Sequence, residues 1–236
     1  MGVFISLIII IVAMVIQAFL QTSPSIFAIF YHHALGKTTA KKADDRALSF
    51  ILGQEIAIAI FFLAIYILIS FLSVEKTFLD TVFMWVLSGL FLAEAMFAFF
   101  CYFRTDKKSK NTTKLFYPRA FVKSFIFHIE HAKNRSDTII LGFVSAFLDF
   151  IFILPLLVIS SIAILHISSR AGFVFIIAYI IIATLPLFTI RTLYRTDHNL
   201  ADIQRFRVKK KIFFRITIAI SYLILAILTF ISGVSI

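Results

Sequence analysis

The chain has 236 residues, of which 61% are hydrophobic and 30 are Phe, and its mean hydropathy is +1.01. That apolar share is far above that of a water-soluble domain and excludes a soluble fold. Seven Gly and four Pro leave the apolar material in long runs, unlike the short alternating strands of an outer-membrane barrel. The net charge of +11 therefore needs an explanation other than nucleic-acid binding.

A bilayer core about 30 Å thick is crossed by about 20 apolar helical residues. Six windows free of Lys and Arg meet that length: 3–31, 47–73, 81–103, 138–165, 172–190 and 216–234. The expected fold is an all-α polytopic membrane protein of six transmembrane helices with no soluble domain. The first window lacks a basic leader and is too long for a secretory h-region, so a retained helix is expected there. The 23 basic residues fall between the windows: four in 32–46, one in 74–80, nine in 104–135, one in 166–171 and eight in 191–215. Positive charge is retained on the cytoplasmic side. The first, third and fifth loops are therefore expected inside, and both termini outside. The charge then serves topology and attraction to anionic lipid head groups, with no nucleic-acid partner. Within the third loop, a basic segment with interleaved aromatics from Phe116 to His131 suits a surface helix beginning near Pro118.

Several short patterns carry no chemistry. Met1-Gly2 resembles a myristoylation start but runs directly into an apolar window on the outer side. The sequons at Asn111 and Asn134 fall in a cytoplasmic loop. Cys101 is the single cysteine, which excludes an intramolecular disulfide or dithiol relay. His32 with His33, and His128 with His131, lack carboxylate or thiolate companions, so neither metal nor cofactor is expected. No acid and histidine are paired within the windows, so an enzyme is not expected either.

Polar residues inside the windows hold the functional signal, because an ionisable group in hydrocarbon faces a cavity or a partner. Counting along the helices at about 1.5 Å per residue, Glu55, Glu94 and Asp149 lie roughly 13, 14 and 17 Å from the cytoplasmic side. Gln17, Gln21 and Gln54 approach the same layer. The bland alternative is that each carboxyl is neutral and hydrogen-bonded to a neighbouring helix. Three acids at one depth favour a shared polar cavity suited to a cation or proton.

Proline adds a second signal, since inside a helix it removes a backbone hydrogen bond. Pro24 and Pro155 lie 131 residues apart, and the third and sixth windows end at the same separation. With three helices per half, the second copy enters from the opposite side. The expected architecture is therefore an inverted repeat, 3–103 and 138–236, joined by the basic linker 104–137. Breaks at matching places in inverted repeats suit a midplane transport site.

The run Ser23-Pro24-Ser25, a basic loop, and then Arg46-Ala47-Leu48-Ser49-Phe50-Ile51-Leu52-Gly53 resembles a known superfamily. So do Phe103-Arg104, Leu154-Pro155 and Thr184-Leu185-Pro186-Leu187. These pieces are similar to the six-helix superfamily of LysE-type exporters, cadmium-resistance transporters and CcdA/DsbD electron carriers. The resemblance implies export of a small solute or ion, because the electron carriers' cysteine pair is missing. Some exporters have Asn-Pro in the fourth helix; here Asp149 and Pro155 stand in that region, which leans toward a cation.

The expectation is thus a transporter, exporting a small solute or cation by alternating access with proton coupling. Glu55, Glu94, Asp149, Gln21 and Gln54 would bind the ion or cargo, with helix breaks at Pro24, Pro155 and Pro186. A homo-oligomer is left open. The rival is a non-transporting membrane subunit whose basic loops dock a partner.

Overall fold

A computed structural model describes residues 2–19, 22–72, 78–101, 127–128, 132, 134–167, 169–195 and 209–234. These residues are helical and contain no strand. Seven helices follow in order: α1 (Val3–Phe19), α2 (Thr22–Lys37), α3 (Ala40–Leu72), α4 (Phe78–Cys101), α5 (Arg135–Ile167), α6 (Ser169–Arg195) and α7 (Lys211–Val234). Most of the basic linker, including the surface helix expected at 116–131, lies outside the described residues, as does Gln21.

Four helical segments are each long and apolar enough to cross a membrane: Ala40–Leu72, Thr81–Phe100, Gly172–Tyr194 and Ile212–Val234. The two halves of α5 make a fifth if taken as one bent span. The described part of the first expected window, 3–31, lies in α1 and α2, on either side of positions 20–21, which are outside the described residues. Much of the expected first loop, 32–46, is also helical. α2 runs to Lys37 and α3 begins at Ala40, because the polar residues 40–46 continue the helix beyond its apolar part. Thr39 occupies the N-cap position of α3, its carbonyl accepting from the Ala43 N–H at 3.0 Å. At the start of α5 the Asp137 carboxylate accepts from the Asn134 N–H at 3.2 Å, and the Asn134 carbonyl accepts from the Thr138 N–H at 3.3 Å.

Proline chemistry accounts for the bend in α5, while Pro24 lies within α2, close to its first described residue, Thr22. Pro155 has no N–H to offer the carbonyl four residues earlier, at Ile151, and its ring crowds that carbonyl. α5 turns by 82° there, between Arg135–Phe150 and Phe152–Ile167. Pro186 behaves differently from expectation, since α6 runs unbroken from Ser169 to Arg195. Packing of Tyr179 and Ala183 before it and of Leu187 and Ile190 after it holds the helix across the missing bond.

Contacts fix the relative helix directions. α3 and α5 run the same way and cross where each carries a glycine: a Cβ on Gly53 would overlap the Ile139 carbonyl, and one on Gly142 the Phe50 carbonyl. Small residues let helix backbones touch in this fashion. α3 and α6 are antiparallel, with Asp44 meeting Arg191 and Glu55 meeting Thr184. α4 and α7 are antiparallel through Trp85 on Phe230 and Phe91 on Tyr222. The α1–α2 pair runs with α6, Gln17 meeting Tyr179 and the Ala28 carbonyl accepting from Tyr194 at 3.0 Å.

Candidate functional site

The buried apolar side chains form two clusters. The first takes Ile9–Ile16 from α1, Ile58–Ile65 from α3, Ile153–Ile164 from α5 and Ile176–Ala183 from α6, together with α4 and α7. The second takes Ile26–Ala34 from α2, Ala43–Ile51 from α3, Leu141 and Leu148 from α5, and Leu187–Tyr194 from α6. Each of α3, α5 and α6 therefore passes from one cluster to the other, and the α1–α2 break does the same. The residues at the changeover are polar. Gln17 closes α1, Gln54 and Glu55 lie between Ile51 and Ile58, Asp149 lies between Leu148 and Ile153, and Thr184 lies between Ala183 and Leu187.

This polar seam is mostly shut away from the surface. Asp149 is 2% exposed, Gln17 and Gln54 5%, and Thr184 is fully buried. Asp149 stands two residues before the bend at Ile151, so the bend carries an acid into the layer. The Tyr179 hydroxyl donates to Gln17 Oε1 across α1 and α6. Gln54 Oε1 is buried without a hydrogen-bond partner among the described residues. A buried amide oxygen left unmatched costs about 1–3 kcal/mol, so the layer has acceptor capacity to offer.

Glu55 is half-buried, with its Oε1 3.2 Å from the Thr184 hydroxyl. That hydroxyl also lies 3.0 Å from the Ile180 carbonyl. One proton serves one acceptor, so the pair has two states. An ionised Glu55 accepts from Thr184; a protonated Glu55 donates to it, freeing the threonine to donate to Ile180.

Glu94 departs from the seam. It lies on α4 beside Tyr222 of α7, within the first cluster alone, so depth brought it to mind and packing sets it apart. Glu55 and Glu94 are thus held on different helix pairs. No family model, curated protein or solved structure matches the chain. The site is therefore argued from its own geometry. Gln21 lies outside the described residues; Pro24 and Pro155 flank the seam and Pro186 lies two residues beyond Thr184.

Two features escaped the sequence. Thr184 is one of several hydroxyls along α6, and only its meeting with Glu55 gives it a role. Arg191 pairs with Asp44 through two hydrogen bonds of 2.6 Å, Nε to Oδ1 and Nη2 to Oδ2, with Tyr31 3.3 Å from the same carboxylate. Opposite charges at the ends of two expected spans were the available signal. Arg135 reaches Asp45 at 3.0 Å on the neighbouring face. Together these pairs tie α3 to α5 and α6 on one side of the seam.

Proposed function

We propose that the chain is a transporter that moves a small solute or cation across the bilayer by alternating access, with protons as the coupling ion. The observation that carries this is the polar seam: acids, amides and a threonine separating two apolar clusters at the level of the bend in α5. A structural bundle has no need to divide its apolar interior there. Buried ionisable groups within apolar spans mark ion and proton paths.

Six spans follow if the α1–α2 pair crosses the membrane as one broken helix. The alternating helix directions agree with that count. An inverted repeat with a shift of 131 residues is supported by two separate observations. A two-fold axis makes each helix meet its own counterpart at equivalent residues, and Phe91 with Tyr222 and Glu55 with Thr184 differ by 131 and 129. Exchanging α1–α2, α3 and α4 with α5, α6 and α7 also carries the set of packed helix pairs onto itself: α3–α5 onto α6 with α1 and α2, α1–α7 onto α4–α5, and α2–α3 onto α5–α6. Such symmetry is the basis of two exchangeable conformations around a central site. The same architecture keeps the resemblance to LysE-type exporters in a bacterial inner membrane, with both termini outside, as the favoured setting.

Asp149 and Glu55 are assigned to the ion or proton, with Gln17, Gln54 and Thr184 as neutral ligands; Glu94 is a secondary proton site between α4 and α7. The test uses proteoliposomes on a solid-supported membrane, challenged in turn with basic amino acids, quaternary ammonium salts and divalent cations. Wild type is expected to give charge displacement with at least one class. Asp149→Asn, inserted and monodisperse, is expected to give none. Silence of the wild type toward all three, or equal currents from Asp149→Asn, overturns the proposal.

A further inference from the structure

A cleft of about 370 Å³ opens on the side of the bundle, floored by α3 from Asp45 to Glu55 and walled by Arg135 of α5 and Phe188 of α6. We propose that this cleft binds a small organic cation with an apolar body, the charged group against Glu55 and the body against Leu48, Leu52 and Phe188. The assignment rests on the transport reading above and names the cargo class of the same site.

Three observations lead to it. The first is charge. Among the described ionisable side chains lining the cleft, Arg135 lies 3.0 Å from Asp45 at the mouth, so those two offset one another and leave Glu55 as the acid that no described lining residue offsets. A cation is what that arrangement selects. The second is the wall. Leu48, Leu52 and Phe188 are exposed on the isolated chain, at 40, 47 and 39%, and within a bilayer they face hydrocarbon or whatever fills the cleft. The third is donor number. Around Glu55 the described lining residues offer one carboxyl, 3.2 Å from the buried Thr184 hydroxyl, and the Ser49 hydroxyl is engaged with the Asp45 carbonyl, whereas a bare calcium ion requires six to eight oxygens. A strongly hydrated ion would lose its water there without replacement. An organic cation with spread-out charge loses less hydration and gains the apolar walls, and the volume lies in the range of ordinary small-molecule sites.

From Asp45 to Glu55 is ten residues, about 15 Å along the helix, so a ligand with its cation at Glu55 reaches the mouth with its body. Thr184 donates to an ionised Glu55, so the carboxyl that meets the cation is the deprotonated one.

The full chain in lipid nanodiscs is titrated with ethidium, read by fluorescence anisotropy against empty nanodiscs. Saturable binding is expected, weakened at least about tenfold by Glu55→Gln through loss of the charged acceptor. Leu48→Trp, which fills the cleft and leaves every charge in place, is expected to abolish it. Wild-type affinity in Glu55→Gln, in Leu48→Trp, or no saturable binding to the wild type overturns the assignment; currents lost in Asp149→Asn would then leave the transport reading standing without this cargo. Binding that depends on Glu55 with no ethidium-driven current supports the cleft's ligand class and removes the transport reading.

Discussion

Gly53→Ala and Gly142→Ala probe the closest approach in the bundle. A methyl on either glycine would lie under 3.0 Å from the partner's backbone carbonyl, where ordinary contacts are 3.4–4 Å. Neither obstacle is a side-chain tip that can rotate away, so α3 and α5 must move apart by about 1 Å or rotate, at a cost typical of overpacking, about 1–3 kcal/mol. The two overlaps face one another across one crossing, so a single separation relieves both. The double variant is therefore expected to cost about as much as the worse single, with a coupling of about 1–3 kcal/mol in the cycle. Gly89→Ala is the contrast. Nothing lies within 4 Å of its Cβ, and the gain in helix propensity makes it neutral or stabilising by up to about 1 kcal/mol. SDS titration in bicelles measures all four, reported by Trp85, the one tryptophan, which stacks on Phe230 in the distant α4–α7 pair. Additive costs, or a Gly142→Ala protein as stable as Gly89→Ala, would show that the helices are not held at that distance.

Two further outcomes follow from the same geometry. In a Cys101→Ser background, Gly2→Cys and Thr39→Cys are expected on opposite faces of the membrane, labelled by an impermeant maleimide from opposite sides; labelling from one side would mean that α1 and α2 enter and return without crossing. Arg191→Met leaves the Asp44 carboxylate, about a fifth exposed, without its two hydrogen bonds and should destabilise by about 2 kcal/mol in the SDS titration, while Asp44→Asn with Arg191→Met should recover part of that loss.

How far the sequence could be read depended on which coordinate a feature needed. Position along a helix was accessible, because hydropathy and the missing N–H of proline are local properties. That is why the sequence singles out Gln54, Glu55 and Asp149 by their depth, and Pro24 and Pro155 as candidate break points. Position around a helix was not. Phe, Ile and Leu cover every face of these helices, so amphipathic periodicity is weak and does not say which way Glu94 points; grouped by depth with Glu55 and Asp149, it packs beside Tyr222 instead. Gly53 and Gly142 illustrate the same limit, since a glycine's value lies in what approaches it, here the backbones of Ile139 and Phe50. Pro186 shows the converse: the local rule called for a break, and tertiary packing on both sides of the proline overrode it.

Where the bundle can bend is constrained by which elements are continuous. α2 and the first half of α5 belong with the lower parts of α3 and α6 in one apolar cluster; α1 and the second half of α5 belong with α4 and α7 in the other. α5 can change angle at its bend without losing the backbone hydrogen bond to the Ile151 carbonyl, because Pro155 has already removed it. α3 and α6 run through both clusters, so any rocking of one cluster on the other must pivot about the place where those two helices cross the seam. Glu55 and Thr184 meet there. A proton or cation at Glu55 alters the one hydrogen bond that spans the pivot, while the Asp44–Arg191 pair, 11 residues along α3 from Glu55, has the longest lever arm and must part first if the cluster on that side opens. Occupancy of the seam and opening of that side would then be coupled through two helices that never break, and weakening the Asp44–Arg191 pair should shift the balance between the two conformations as well as the stability.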